Sequence, residues 1–137
     1  MRSGDVGALR KRNGFTLIEL LVVIAIIGII VTVAVGQYQR SIVKAKEAVL
    51  REDLYVLRTA INQYFADKGK YPSDLETLVA ESYLYKVPHD PITGSADTWQ
   101  QIPSEASDQD ISTEPGIGDV KSGAEGASLD GSSYQDW

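Results

Sequence analysis

The apolar positions of this chain change their spacing twice, and each regime predicts a different element. From Phe15 to Val35 the run is continuous, with Thr16, Glu19 and Thr32 as its polar residues. A helix of that length rises roughly 32 Å at about 1.5 Å per residue, which matches a hydrocarbon core of about 30 Å. From Gln37 to Lys68 there is neither Pro nor Gly, and apolar residues recur at helical spacing: Val43, Leu50, Leu54, Leu57, Ile61 and Phe65. A second file, Ile42, Val49, Val56 and Ala60, widens this into one buried face. One helix is therefore expected from about Phe15 to Lys68, membrane-embedded in its first half and the spine of a domain in its second. Glu47 and Arg51 are then an i, i+4 ion pair on the wet side. Gly69 suits the C′ position and Pro72 blocks continuation.

Beyond Pro72 the pattern breaks into short pieces. Ser73 to Glu76 is a capping-box sequence, S-x-x-E, which opens a short helix to about Glu81 with Leu75, Leu78 and Val79 facing inward. Tyr83–Pro88 reads as extended, and KVPHDPITG, from Lys86 to Gly94, as turns. Short strands are expected at Trp99–Ile102 and Gly118–Ser122, with a polar loop, Pro103–Gly116, between them. The Gly-, Ser- and Ala-rich tract from Ser122 to Ser133 reads as loop, docked by Tyr134 and Trp137. The expected fold is α+β: a long N-terminal helix packed against a short helix and a small antiparallel sheet, with a loop-rich C-terminus.

Charge adds direction to this outline. Arg10, Lys11 and Arg12 precede the apolar run, so the remainder should lie across the membrane from them. Residues 1–14 read as a leader, 15–36 as the transmembrane part and 37–137 as the external domain. Arg2 and these three basic residues against Asp5 give the leader +3, so the rest carries −9 of the total −6. Such an acidic domain excludes nucleic acid as a partner. A secretory signal cut near Ala34 or Gly36 is the competing reading. The run is longer than the usual signal core and contains an acid, which argues against it. Glu19 is costly inside a membrane and calls for a partner.

Candidate chemistry is sparse. His89 is the single histidine, set in a P-H-D-P turn, so no Ser or Thr can be assigned to a triad. There is no phosphate loop, and no spacing singles out an acid/base pair. No catalytic residue is expected. Tyr64, Tyr71, Tyr83 and Tyr85 read as packing or subunit-contact residues. The chain has no Cys, which excludes a disulfide framework and thiolate metal sites.

The string KRNGFTLIELLVVIAIIGI resembles the type IV pilin and pseudopilin family: a basic leader ending in Gly, then Phe, then Glu five positions after the Gly. The resemblance implies that a prepilin peptidase cuts after Gly14 and methylates the new N-terminus at Phe15. It also implies that Glu19 is the assembly glutamate. A cleaved Phe15 would carry an amine with a reference pKa of about 7.7–8.0, and Glu19 of a neighbouring subunit would offer it a carboxylate. Many relatives have Pro where this chain has Gly36, which predicts a less defined kink or melted segment there. GKYP from Gly69, DPITGSADTW from Asp90 and GDVKSGAEG from Gly118 are similar to the major pseudopilins of type II secretion, which bind calcium in this region.

Asp119 and Asp130 are accordingly the first candidates for calcium ligands, with Glu125 and Asp136 second and loop carbonyls completing the shell. The function expected is a pseudopilus subunit of the inner membrane. It would polymerise with itself, with a prepilin peptidase, an inner-membrane assembly platform and minor pseudopilins as partners. A type IV pilin of a surface filament and a membrane-tethered binding domain that never polymerises are the alternatives.

Overall fold

The computed structural model describes Gly4 and residues 14–105 and 115–137. Most of the leader, and residues 106–114 of the expected loop, therefore lie outside the described residues. The element order is α1 (Leu17–Lys68), α2 (Leu75–Ala80), β1 (Gln100–Pro103), β2 (Ile117–Lys121) and a closing 3-10 turn (Tyr134–Asp136). This is the α+β arrangement expected. The chain divides into two units, residues 1–39 and 40–137. In the first, the helical side chains are exposed, Leu17 at 75%.

α1 stays helical through Gly36, so the melted segment expected there is not found. Glycine weakens a helix by about 1 kcal/mol relative to Ala. Unlike Pro it keeps its N–H, so no i→i−4 bond is removed. The helix ends where expected. Gly69 adopts φ 71° and its N–H donates to the Phe65 carbonyl at 2.8 Å.

The second unit is built on the stripe Leu50, Leu54, Leu57, Ile61 and Tyr64 of α1, a run of three- and four-residue steps. Against it lie Leu75 and Leu78 of α2, then Leu84, Trp99, Ile117, Val120, Ala124 and Tyr134. The buried face is narrower than the apolar pattern suggests. Val49, Val56 and Phe65 remain 50%, 39% and 42% exposed. A two-stranded sheet and a six-residue helix cover one side of α1 only. Phe65 instead stacks on Tyr71, with ring centroids 4.4 Å apart.

α2 starts one residue later than the capping-box reading places it. Its N-cap is Asp74, whose carboxylate accepts from the Thr77 N–H and hydroxyl at 2.8 and 2.7 Å. Those hydrogen bonds hold the Asp74 carboxyl below its ordinary pKa. A carboxylate accepts more strongly than a hydroxyl and complements the positive helix end. Ser73 is left with a side-chain contact to Thr77.

β1 and β2 pair antiparallel, Gln101 opposite Val120, with an irregularity between Ile102 and Pro103. The Ile117 N–H donates to the Pro72 carbonyl and ties β2 to the turn after α1. Gly123 passes so close to the Thr98 carbonyl that a Cβ would meet it at 1.9 Å. Any side chain there would force the backbones apart. Asp90 is fully buried and holds the turn tract against the end of β2. Its carboxylate accepts from the Ile92 N–H at 2.8 Å and the Ser122 hydroxyl at 2.6 Å.

Candidate functional site

The first candidate site is the start of α1. Gly14 and Phe15 precede the helix and are exposed. The Thr16 hydroxyl accepts from the Glu19 N–H at 3.3 Å, an N-cap contact. Glu19 thus sits in the first helical turn, where a negative charge complements the helix dipole. Its side chain is exposed amid exposed Leu, Val and Ile. α1 is long and apolar enough in this part to cross a membrane, by length and composition. Further along, the Thr32 hydroxyl donates back to the Gly28 carbonyl at 2.8 Å, so its polar group is satisfied within the helix.

The second is the acidic C-terminal region of the other unit. Asp119 lies on β2 and accepts from Arg58 Nε at 2.8 Å and from the Val120 N–H at 2.8 Å. Asp130 lies in a serine turn. One carboxylate oxygen accepts from the Ser128 hydroxyl, from the Ser132 N–H at 2.9 Å and from the Ser132 hydroxyl at 2.6 Å. These donors, with the Arg51 guanidinium 3.8 Å from its other oxygen, bring the Asp130 carboxyl down to about 2. Glu125 and Asp136 are exposed. Among the described residues no three His, Asp or Glu side chains converge as a metal-binding set. Each first-choice ligand faces a guanidinium already.

Glu47 and Arg51 do not form the surface ion pair that their spacing suggests. Glu47 is 6% exposed and turns inward. It accepts from the Leu129 N–H at 2.9 Å and the Tyr134 hydroxyl at 2.8 Å. Burial, together with the bond to Glu47, pushes the Tyr134 phenol up to about 12. Arg51 instead lies over the Trp137 ring, 4.3 Å from its centroid. Sequence reasoning missed the roles of Glu47, Arg58 and Asp90. For Glu47 a signal was present. It stands three residues before Leu50 and seven before Leu54, within the buried stripe. His89 is exposed, as a turn histidine should be. Three of the four tyrosines pack, Tyr64 and Tyr83 edge to face at 5.3 Å and Tyr71 on Phe65, whereas Tyr85 is 95% exposed.

Comparison with known proteins bears on the first site most directly. A family model described as the prokaryotic N-terminal methylation motif matches residues 9–35. The type II secretion system core protein G of Pseudomonas aeruginosa is 35% identical over 98 residues, covering 60% of this chain and 69% of that protein. The protein of the same name from Escherichia coli is 32% identical over 97 residues, 59% of this chain and 67% of that one. The type IV major pilin protein PilA of Myxococcus xanthus is 36% identical over 61 residues, 44% of this chain and 28% of the pilin. No solved structure matches the chain.

Proposed function

Since this chain belongs to the type IV pilin-like and pseudopilin family, whose members are structural and not enzymatic, we propose that it is the major subunit of a type II secretion pseudopilus. Family membership brings processing by a prepilin peptidase and self-polymerisation. In this reading the peptidase cuts after Gly14 and methylates Phe15. The chain waits in the inner membrane, anchored by the apolar part of α1, with residues 37–137 on the far side. Glu19 then takes the Phe15 amine of a neighbouring subunit. Each charge relieves the other's desolvation, and the pair sets the register of packed helices. Contacts of this head-to-tail kind repeat without closing, which yields a filament. An inner-membrane assembly platform and minor pseudopilins complete the machine, and the filament helps drive folded proteins outward.

The observation that carries this reading is the reach of the similarity. Identity to core protein G extends over 97–98 residues, well past the anchor. Identity to pilins and fimbrial proteins covers 59–63 residues. That shorter match keeps a surface pilus as the second reading. Deleting the gene separates them. A pseudopilin mutant loses extracellular enzymes and keeps its surface fibres, whereas a pilin mutant loses sheared filaments and still secretes.

A further inference from the structure

Glu47, Arg51 and Arg58 stand at i, i+4 and i+11 on α1, beside the buried stripe, and each reaches the segment 119–137. Arg58 makes three contacts there: Nε to Asp119 at 2.8 Å, and one terminal nitrogen to the carbonyls of Val120 at 3.0 Å and Trp137 at 2.8 Å. Arg51 covers the Trp137 ring and faces Asp130. Glu47 holds the Leu129 N–H and the Tyr134 hydroxyl. Tyr134 in turn meets Trp137 edge to face at 5.3 Å.

We propose that the two arginines, in place of a divalent cation, fasten the C-terminal segment of this chain to α1. A hard cation would be held here by carboxylates and backbone carbonyls. Arg58 already engages both kinds, and Arg51 faces the second carboxylate. A divalent ion placed between Asp119 and Asp130 would meet both guanidinium groups and would have to displace them. A planar guanidinium is well suited to such a latch, because it stays charged at any working pH and directs several donors in one plane to separate acceptors. A lysine has no such fork. The latch also explains how a Gly- and Ser-rich tract with little apolar surface is kept on the helix. It is held at both ends of its run, at 119–120 and at 129–137.

The test uses the full chain in detergent micelles. Melting is followed by tryptophan fluorescence and limited proteolysis, with chelator, with calcium and with magnesium. The wild type is expected to melt at one midpoint in all three. Arg58→Gln lowers that midpoint and opens the segment after Lys121 to protease, equally in chelator and in calcium. Arg51→Gln, at a more exposed position, does the same to a smaller degree and covers the case in which Arg58→Gln does not fold. The exchange Arg58→Asp with Asp119→Arg recovers part of what Arg58→Asp loses. A wild-type midpoint that falls in chelator and returns with calcium overturns the proposal in favour of a calcium site. So do unchanged midpoints and protease patterns in both single arginine variants.

Discussion

Glu19 is exposed within an apolar run, whereas Glu47, 28 residues further along the same helix, is buried with two donors on one oxygen. The difference sets what each substitution does. Removing Glu19 relieves membrane insertion of a charge worth a few kcal/mol on insertion scales. In the proposed pairing it also leaves a neighbouring subunit's amine without its carboxylate. Glu19→Val is therefore expected to insert at least as well as wild type and to fail in assembly. Membrane fractionation and filament yield measure the two effects separately, and wild-type filament yield would refute the pairing. Glu19 stands out in the sequence because an acid is conspicuous among Leu, Val and Ile. Glu47 carried a weaker signal, its place in the buried stripe, because an acid among Lys46, Ala48 and Arg51 looks like any other surface charge. Its role depends on Leu129 and Tyr134, which the chain brings back from more than 80 residues away.

At the scale of elements, α1 and its stop follow from local rules. An uninterrupted helical pattern ends at a glycine in the left-handed region, and nothing lies within 4 Å of where its Cβ would be. The cost of a side chain at Gly69 is thus backbone strain alone, about 1–2 kcal/mol for an L residue. Gly69→Ala should lower the melting midpoint by several degrees in a domain of this size. Gly69→Asn should fall less, since Asn tolerates this conformation better. Equal midpoints for wild type and Gly69→Ala, by circular dichroism, would show that the helix end relaxes freely. The strands were legible to within a residue, from Trp99–Ile102 and Gly118–Ser122 to Gln100–Pro103 and Ile117–Lys121. The α2 cap was misplaced because Ser73 and Asp74 both suit the position. The choice between them rests on the Thr77 contact, which the S-x-x-E pattern does not encode.

For the whole molecule, family membership and an exposed Gly14–Phe15 junction lead to one covalent prediction. Intact mass of the assembled protein should correspond to a chain starting at N-methylated Phe15. A start near Gly36, or retention of residues 1–14, would contradict it. The sequence by itself determined the long apolar run, the motif around Gly14, the long helix and its end, and the α+β class. All of these rest on near neighbours: hydropathy over some twenty residues, helical spacing, one glycine and one proline. The tertiary structure alone decided which flank of α1 is covered, why Val49 and Val56 stay exposed while Glu47 is buried, and which partners Asp119 and Asp130 take. Those outcomes depend on groups distant in sequence meeting across a small core. The arginines that answer the two aspartates lie 61 and 79 positions before them, beyond the reach of any local pattern.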